Sequence, residues 1–397
     1  MTSSLSLTDR TPLANQVAGH DGVMSDASGS LVIKPALARE IAFYQTLNSS
    51  DREDPIRRLK PFVPKFLGTL RLEGQLSSSG DVERLEGKDE VPESVVLENL
   101  SYAFTHPSIL DVKLGTVLYD PDASEEKKQR MDKQARETTT HELGIRFTGC
   151  TTWHSPSQSY IVTPKSFGKT ITANQLPEGM VRFFPTSSDI IKSLIQPTTD
   201  KSASAPTTTS LDLSTGVPPT PITASNSSFS PIPAEAQTFK DHSIPSTSLV
   251  KVLDMIVEEI DRLVSVLEDI EIRFVGGSLL IVYEGDPLKL EEALDRYQLQ
   301  KLKSTTEEGV DKDRSAFSDD GSIPSDFDSD EESNEDDEEE DEESRASRRC
   351  PPVRVKLIDF AHTWLAQGEG PDKGVLKGLS TLRGLLQGRK KEIEGVV

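Results

Sequence analysis

The sequence predicts an α+β fold that is interrupted by long disordered segments. Short apolar runs typical of strands recur along the chain, whereas residues 249–267 carry apolar side chains at the 3.6-residue spacing of a helix. Only 34% of the 397 residues are hydrophobic and 6% are aromatic, which is low for a chain that folds along its whole length. We therefore expect one large or two medium domains together with polar inserts.

One segment supplies most of the formal net charge of −22. Residues 319–343 hold 16 acidic and no basic side chains, and the rest of the chain carries only −6. The overall charge argues weakly against direct binding of nucleic acid, and the alternative is a local basic patch that would bind it. The two cysteines are too few for a disulfide framework, and neither a secretory signal nor an apolar run of transmembrane length is present. We expect an intracellular, soluble protein.

A strand and a helix are predicted near the start of the chain. The strand covers residues 31–35 and contains Lys34, and the helix over residues 39–47 has Glu40 in its first turn. Kinases use a strand lysine and a helix glutamate to hold nucleotide phosphates. An exposed lysine and a solvated glutamate would give the same pattern.

Residues 107–115 are the centre of the predicted fold. Four apolar residues in this segment indicate a buried strand. Asp111 and Lys113 are two positions apart and so lie on one face of that strand, where a buried acid and base must pair or bind a ligand. Gly115 lets the backbone approach a ligand closely. The alternative is an edge strand with a surface ion pair.

A charged helix is predicted after Ser124, which is a suitable N-cap. Lys127 and Arg130 share one face of this helix with Lys133 or Gln134. Such a cationic stripe suits a multiply phosphorylated ligand, although a solvated helix would have the same composition.

Three elements are predicted after the first polar insert. The helix over residues 249–267 has charged residues on its outer face, Glu259 among them. A hairpin around a two-glycine turn is expected over residues 271–283. The strand over residues 353–360 ends at Asp359, as the metal-binding strand of kinases ends at its aspartate. A single carboxylate suffices for Mg²⁺ when nucleotide phosphates and water complete its ligands.

Three motifs occur in the order in which the inositol polyphosphate kinase family has them. They are Pro-x-x-x-Asp-x-Lys-x-Gly at residues 107–115, Ser-Leu-Leu at residues 278–280, and Ile-Asp-Phe at residues 358–360 followed by Ala-His-Thr. On these motifs the chain resembles that family, and most of all its fungal multikinases. The resemblance extends over residues 31–185, 249–290 and 353–386.

The resemblance implies two lobes built on antiparallel sheets, with an ATP cleft between them. Residues 31–100 would form the N-terminal lobe with its nucleotide-binding strand, helix and hinge. A polar stretch over residues 1–30 would precede it, and the C-terminal lobe would consist of residues 101–195 and 249–290. Two disordered inserts would follow, a Ser/Thr/Pro-rich one over residues 196–248 and an acidic one over residues 302–350. Residues 351–397 would form a final strand and a helix capped by Asp372.

The resemblance also implies a nucleotide site for ATP and Mg²⁺. Lys34 would bind the phosphates and Glu40 would fix Lys34. Backbone groups near Glu98 and Leu100 would pair with the adenine edge. The other members of the site would be Asp111 at the ribose, Ser278 near the nucleotide and metal, and Asp359 at the metal.

For the substrate side, the resemblance implies that Lys113 neutralises phosphate charge and acts with Asp359 in catalysis. Lys127, Arg130 and His362 would bind substrate phosphates. No dedicated general base is evident, so Lys113 or Asp359 would assist the attacking hydroxyl. Only about 26 residues separate Leu118 from the next strand, where the family's trisphosphate-restricted members carry a larger helical insert. By this resemblance we expect an open site that accepts several substrates.

The expected activity is therefore phosphorylation of inositol trisphosphate to tetrakis- and pentakisphosphate, with phosphoinositide head groups as further substrates. The alternatives are a trisphosphate-restricted 3-kinase, a hexakisphosphate kinase, or a nuclear scaffold whose acidic insert engages transcription factors. We expect a monomer located in the nucleus and cytoplasm.

Overall fold

The structure is a computed structural model that describes several ranges of the chain. These are residues 11–12, 22–71, 74–76, 82–84, 93–189, 243–307 and 350–395. The predictions for residues 1–30, 196–248 and 302–350 lie largely outside these ranges. Among the residues described, no helix is both long and apolar enough to cross a membrane.

The first sheet contains Lys34 and the predicted hinge. Its strands are Thr11–Pro12 (β1), Met24–Ser25 (β2), Leu31–Pro35 (β3), Phe66–Arg71 (β4) and Glu93–Glu98 (β7), and a separate hairpin of Gly74–Leu76 (β5) and Val82–Arg84 (β6) connects β4 to β7. The spatial order is β1, β2, β3, β7 and β4, with every pair antiparallel. Helix α1 (Ala38–Ser49) and a 3₁₀ helix (Pro55–Phe62) follow β3.

The second sheet is built around the predicted central strand. Its strands are Pro107–Leu114 (β8), Ile145–His154 (β9), Ser159–Thr163 (β10), Ser278–Glu284 (β12) and Val353–Ile358 (β13). They lie in the order β10, β9, β8, β12 and β13, again antiparallel throughout. Strand β8 is therefore central, and seven of its eight residues are buried. The α+β class and the antiparallel sheets are confirmed.

The longer helices of this half pack beside the second sheet. The α-helices described in this half are Glu125–Glu137 (α2), Thr139–Leu143 (α3), Lys165–Thr170 (α4), Leu176–Phe183 (α5), Ser246–Glu268 (α6), Pro287–Glu307 (α7) and Lys373–Glu394 (α8). Helix α6 begins inside the predicted insert 196–248, and α7 extends into the predicted insert 302–350. One continuous core joins the two halves, with Phe43 of α1, Val112 of β8, Leu253 of α6 and Leu379 of α8 among its members.

The predicted hairpin over residues 271–283 is wrong. Ile272–Phe274 (β11) pairs with Thr363–Leu365 (β14) in a two-stranded sheet, while β12 pairs with β8 and β13. Gly276 has a φ of +69°, and a Cβ on Gly277 would lie 1.9 Å from the ring of Phe274. The two glycines therefore let the chain pass closely over Phe274 from one sheet into the other, instead of joining two strands of one sheet.

Helix α6 is amphipathic as predicted, except at Glu259. This glutamate is only 8% exposed and forms an ion pair of 2.6 Å with Arg262. Burial raises the pKa of Glu259, against the opposing effect of Arg262. A charged side chain can lie on the inner face when a partner one turn away neutralises it.

Helix α8 approaches the second sheet through glycines. Asp372 caps it as predicted, accepting hydrogen bonds from the backbone N–H groups of Gly374 at 3.0 Å and Val375 at 3.1 Å. A Cβ added to Gly378 would lie 2.2 Å from the carbonyl oxygen of Gly144, which ends α3. The start of α8 therefore fixes the position of the α2–α3 segment.

Candidate active site

Asp359 lies between two lysines from different sheets. It directly follows β13 and has a φ of +68°, a conformation that non-glycine residues adopt rarely and often at functional sites. Its Oδ1 is 2.8 Å from Nζ of Lys34 in β3, and its Oδ2 is 3.1 Å from Nζ of Lys113 in β8. The first and second sheets therefore meet at this carboxylate.

Both lysines have a second partner that fixes them. Nζ of Lys34 lies 3.0 Å from Oε1 of Glu40, which is 1% exposed in the first turn of α1. Nζ of Lys113 donates to the carbonyl oxygen of Gly276 at 2.6 Å. Burial lowers the pKa of Lys34, but Asp359 and Glu40 outweigh burial and raise it. Lys34 is therefore held as a cation.

The same interactions keep Asp359 ionised. Burial alone would raise the pKa of Asp359, yet the ammonium groups of Lys113 and Lys34 hold it well below the ordinary aspartate value. A carboxylate of this kind accepts strong charge-assisted hydrogen bonds and is a weak base.

The depressed pKa predicts how stability depends on pH. Because the pKa of Asp359 is lower in the folded than in the unfolded chain, its ionised form stabilises the fold above an ordinary aspartate pKa of about 3.9, and this contribution is lost as the pH falls below that value. We expect the difference in unfolding free energy between wild type and Asp359→Asn to be constant near neutral pH and to shrink below about pH 4. Urea unfolding at several pH values measures this, and a difference that does not change with pH would contradict it.

Asp111 and Ser278 form a second polar group beside this cluster. Asp111 is 3% exposed and Ser278 is fully buried, and neither Oδ1 of Asp111 nor Oγ of Ser278 has a hydrogen-bond partner in the described structure. Burial raises the pKa of Asp111, while Lys113 opposes this effect. Buried polar atoms without partners are costly, so a ligand that carries hydroxyl groups fits here.

The predicted hinge lies at the end of β7. The backbone N–H of Glu98 donates to the carbonyl of Lys65 at 3.0 Å, and Oε1 of Glu98 accepts from the backbone N–H of Lys65 at 2.9 Å. The next residue, Asn99, donates its N–H to Ser30 at 2.8 Å, and Leu100 is buried. The structure therefore connects the hinge to the residue before β4 and to the turn before β3.

Helix α2 carries Lys127 and Arg130 on a largely exposed surface. Ser124 caps the helix as predicted, and Ala135 is its only buried residue. Lys133 lies 3.7 Å from Glu137, whereas neither Lys127 nor Arg130 forms an ion pair among the described residues. Two cations of the predicted stripe are therefore available to an anionic ligand.

His362 contacts Asp120. Its Nδ1 is 2.5 Å from Oδ2 of Asp120, and its side chain is 37% exposed. Asp120 was not among the residues that the sequence predicted. It precedes α2 in the chain, so the structure connects the predicted substrate histidine to the segment that leads into the predicted substrate helix.

Arg146 is a further cation that the sequence analysis missed. It faces Lys113 in the register of β8 and β9, is 8% exposed, and leaves its Nη1 without a hydrogen-bond partner in the described structure. Burial lowers the pKa of Arg146, and Asp111 opposes this effect. The sequence signal that could have identified Arg146 is a cationic residue within a run of apolar strand residues. An unpaired guanidinium beside Lys113 suits a phosphate.

The residues around Asp359 fit a hard divalent cation. Among the described residues no three His, Cys, Asp or Glu side chains are grouped as metal ligands. Asp359 offers a single ionised carboxylate, and Mg²⁺ or a similar ion needs few protein ligands when phosphates and waters supply the others. The donor set therefore agrees with a metal held jointly by protein and nucleotide.

Comparison with known proteins places these features in context. The sequence model of the inositol polyphosphate kinase family matches residues 94–203 and 232–387, more than half of the chain. The inositol polyphosphate multikinase of Saccharomyces cerevisiae is 28% identical over 413 residues, covering 93% of this chain and 96% of that protein. The Schizosaccharomyces pombe multikinase is 34% identical over 182 residues, covering 44% of this chain and 63% of that protein.

A solved structure shares the fold. The crystal structure of inositol phosphate multikinase Ipk2 from S. cerevisiae, in complex with ADP and Mn²⁺, superposes with a TM-score of 0.52 at 22% identity and covers 91% of this chain and 99% of that chain. The two-lobed fold that the motifs implied is thereby confirmed.

Proposed function

The chain belongs to the inositol polyphosphate kinase family and is an inositol polyphosphate kinase. We propose that it is a multikinase. It would transfer the γ-phosphoryl group of ATP to inositol 1,4,5-trisphosphate and then to the tetrakisphosphate product. The observation that carries the kinase activity is the carboxylate of Asp359 held between Lys34 and Lys113. We propose Mg²⁺ as the metal, because the donor set consists of hard oxygen and the related yeast structure holds ADP with Mn²⁺.

Preorganised charge is the main contribution of this site. Lys34, fixed by Glu40, and Lys113, fixed by Gly276, would neutralise phosphate oxygens without reorganising during the reaction. The divalent metal, held by Asp359 when bound, would neutralise further charge on the transferring group. Asp111 would pair with hydroxyl groups of the nucleotide ribose, and Ser278 would lie near the nucleotide and the metal.

The low pKa of Asp359 indicates whether this residue can act as a general base for the attacking hydroxyl. A carboxylate whose pKa is held well below the usual value is a poor proton acceptor at neutral pH. Phosphoryl transfer passes through a loose transition state that needs little help from a base. We therefore propose that catalysis depends on positioning and electrostatics, with the hydroxyl proton leaving late.

The substrate would bind between α2 and β9. Lys127 and Arg130 of α2, Arg146 of β9 and His362 would contact its phosphate groups. Because α2 buries a single residue, its cationic face is open to ligands of different size. This openness supports broad substrate tolerance, and we extend the proposal to phosphoinositide head groups.

The test is an activity assay with separated products. We would incubate purified protein with labelled ATP, Mg²⁺ and inositol 1,4,5-trisphosphate, with Lys113→Ala as the inactive comparison. Stepwise tetrakis- and pentakisphosphate from wild type alone is the expected result. A single tetrakisphosphate would instead identify a restricted 3-kinase. In a parallel reaction with inositol hexakisphosphate, phosphorylation of that compound alone would identify a hexakisphosphate kinase.

A matched pair on α2 tests the substrate side in the same assay. Lys127→Ala should raise the KM for the inositol phosphate by about tenfold, the cost of one charge-assisted hydrogen bond. Lys128→Ala removes the neighbouring lysine, which is paired with Glu125 at 2.9 Å, and should leave that KM unchanged. Equal effects of the two substitutions would contradict the assignment.

The scaffold alternative depends on the acidic residues 319–343, which lie outside the described residues. It stays a prediction, as does the nuclear and cytoplasmic location. An Asp359→Ala variant that restored every phenotype of a null strain would favour it over the kinase activity.

A further inference from the structure

Asp120 lies between side chains from two sides of the candidate site. Its Oδ1 is 3.3 Å from Nη1 of Arg39, the residue before Glu40 in α1, and its Oδ2 is 2.5 Å from Nδ1 of His362. The Asp120 side chain is only 13% exposed, whereas that of Asp122, two residues on, is 87% exposed. The partly buried carboxylate thus connects α1, the segment before α2, and the turn after Asp359.

The backbone of His362 is already fixed, so that only its side chain can turn. Its carbonyl oxygen accepts the N–H of Val275 at 3.1 Å, and the next residue, Thr363, begins β14. A partly exposed histidine on a fixed backbone keeps its rotamer freedom and loses it on binding a ligand, at a cost in entropy. The contact with Asp120 restrains the ring before any ligand arrives.

The contact also determines which ring nitrogen faces a ligand. Nδ1 of His362 is 2.5 Å from Oδ2 of Asp120, so this ring nitrogen is the one that faces the carboxylate. Nε2, on the opposite side of the ring, is then the nitrogen left for a ligand.

We propose that Asp120 is the positioning residue that holds His362 toward a phosphate group of the inositol substrate. The inference rests on the proposed function, because it takes the substrate from there. Tyr119 supports it from the preceding position, since its hydroxyl donates to Asp132 of α2 at 3.4 Å. The residues around Asp120 therefore join His362 to the helix that carries Lys127 and Arg130, so that the two sides of the substrate site are set relative to each other.

The test is a double-mutant cycle on the full chain. Asp120→Asn keeps the size of the side chain and removes its charge, and we expect the KM and the Kd for inositol 1,4,5-trisphosphate to rise by about tenfold. The kcat and the KM for ATP should stay within about twofold. In a His362→Gln background the same substitution should change the KM by less than about twofold, because the residue it positions is gone.

Two controls separate positioning from a structural role. Asp122→Asn removes the exposed neighbour, which lies 3.8 Å from Arg39, and should leave all constants unchanged. Asp120→Glu restores the charge and should recover part of the lost affinity. The inference is wrong if the rise in KM of the double variant equals the product of the rises caused by Asp120→Asn and His362→Gln alone. It is also wrong if Asp120→Asn raises the KM for ATP as much as the KM for the trisphosphate.

Binding measured by calorimetry distinguishes this inference from the proposed function. If wild type binds the trisphosphate without turnover and Asp120→Asn binds it about tenfold more weakly, the inference stands and the proposed function fails. If wild type turns over the substrate and Asp120→Asn matches it, the inference fails alone. A wild type that neither binds nor phosphorylates the trisphosphate overturns both.

Discussion

An Asp359→Asn variant is expected to lose phosphoryl transfer by about 10²–10³-fold or more, the effect of removing one preorganised electrostatic group from a reaction centre. The amide is neutral, so it cannot balance the charges of Lys34 and Lys113, which lie 2.8 Å and 3.1 Å from the two carboxylate oxygens. It also removes the single carboxylate that we assign to the metal. The measurement is kcat with inositol trisphosphate at saturating ATP and Mg²⁺.

The matched control is Asp269→Asn. Asp269 also forms an ion pair, at 2.6 Å with Arg58, but the two side chains are 59% and 45% exposed. Exposed pairs contribute little, and we expect wild-type kcat from this variant. A well-folded Asp359→Asn protein that retained more than about a tenth of the activity would contradict the role given to Asp359.

Gly378→Ala is expected to destabilise the protein by about 1–3 kcal/mol, the usual cost of overpacking. The new Cβ would lie 2.2 Å from the carbonyl oxygen of Gly144 and 3.2 Å from a methyl group of Ile145. Gly144 cannot easily move, because it ends α3 with a φ of +69° and its own carbonyl accepts the N–H of Gly115 at 2.9 Å. Helix α8 or the α2–α3 segment must shift instead.

The same substitution at Gly384 should have the opposite sign. Gly384 lies on the same helix, and nothing is within 4 Å of a Cβ built there. Alanine lowers the entropy of the unfolded chain and favours the helix, so we expect a gain of about 0.5–1 kcal/mol. Urea unfolding of both variants measures the contrast. Two changes of the same sign would show that the close approach of α8 to Gly144 does not limit stability.

Local patterns in the sequence predicted the members of the central cluster. Lys34, Glu40, Lys113 and Asp359 each lie at the end or on one face of an element that is evident from its neighbours alone, and the structure brings all four together. Lys113 and Asp359 belong to the motifs on which the chain resembles the family, and that resemblance implied the antiparallel sheets. The chemistry of this part of the site was therefore predictable before any contact was known.

Other features depend on pairing that the local sequence does not contain. Strand β11 lies about 90 residues before its partner β14, and the two glycines after β11 suggested a nearer partner. Arg146 becomes a site residue only through its register opposite Lys113. Glu259 appeared to belong to the polar face of α6, because the sequence of one helix does not show which neighbour lies against each side. Asp120 was missed because its partners Arg39 and His362 are distant in the chain.

The distance along the chain between Lys34 and Asp359 has a consequence during protein synthesis. The two residues are 325 positions apart, so at about 5–20 residues per second Lys34 is made between about 16 and 65 s before its partner. In that interval Glu40, six positions away, can neutralise Lys34 within the nascent chain. A nascent chain therefore contains Lys34 and Lys113 before it contains Asp359, and we expect phosphoryl transfer only from chains that extend past β13.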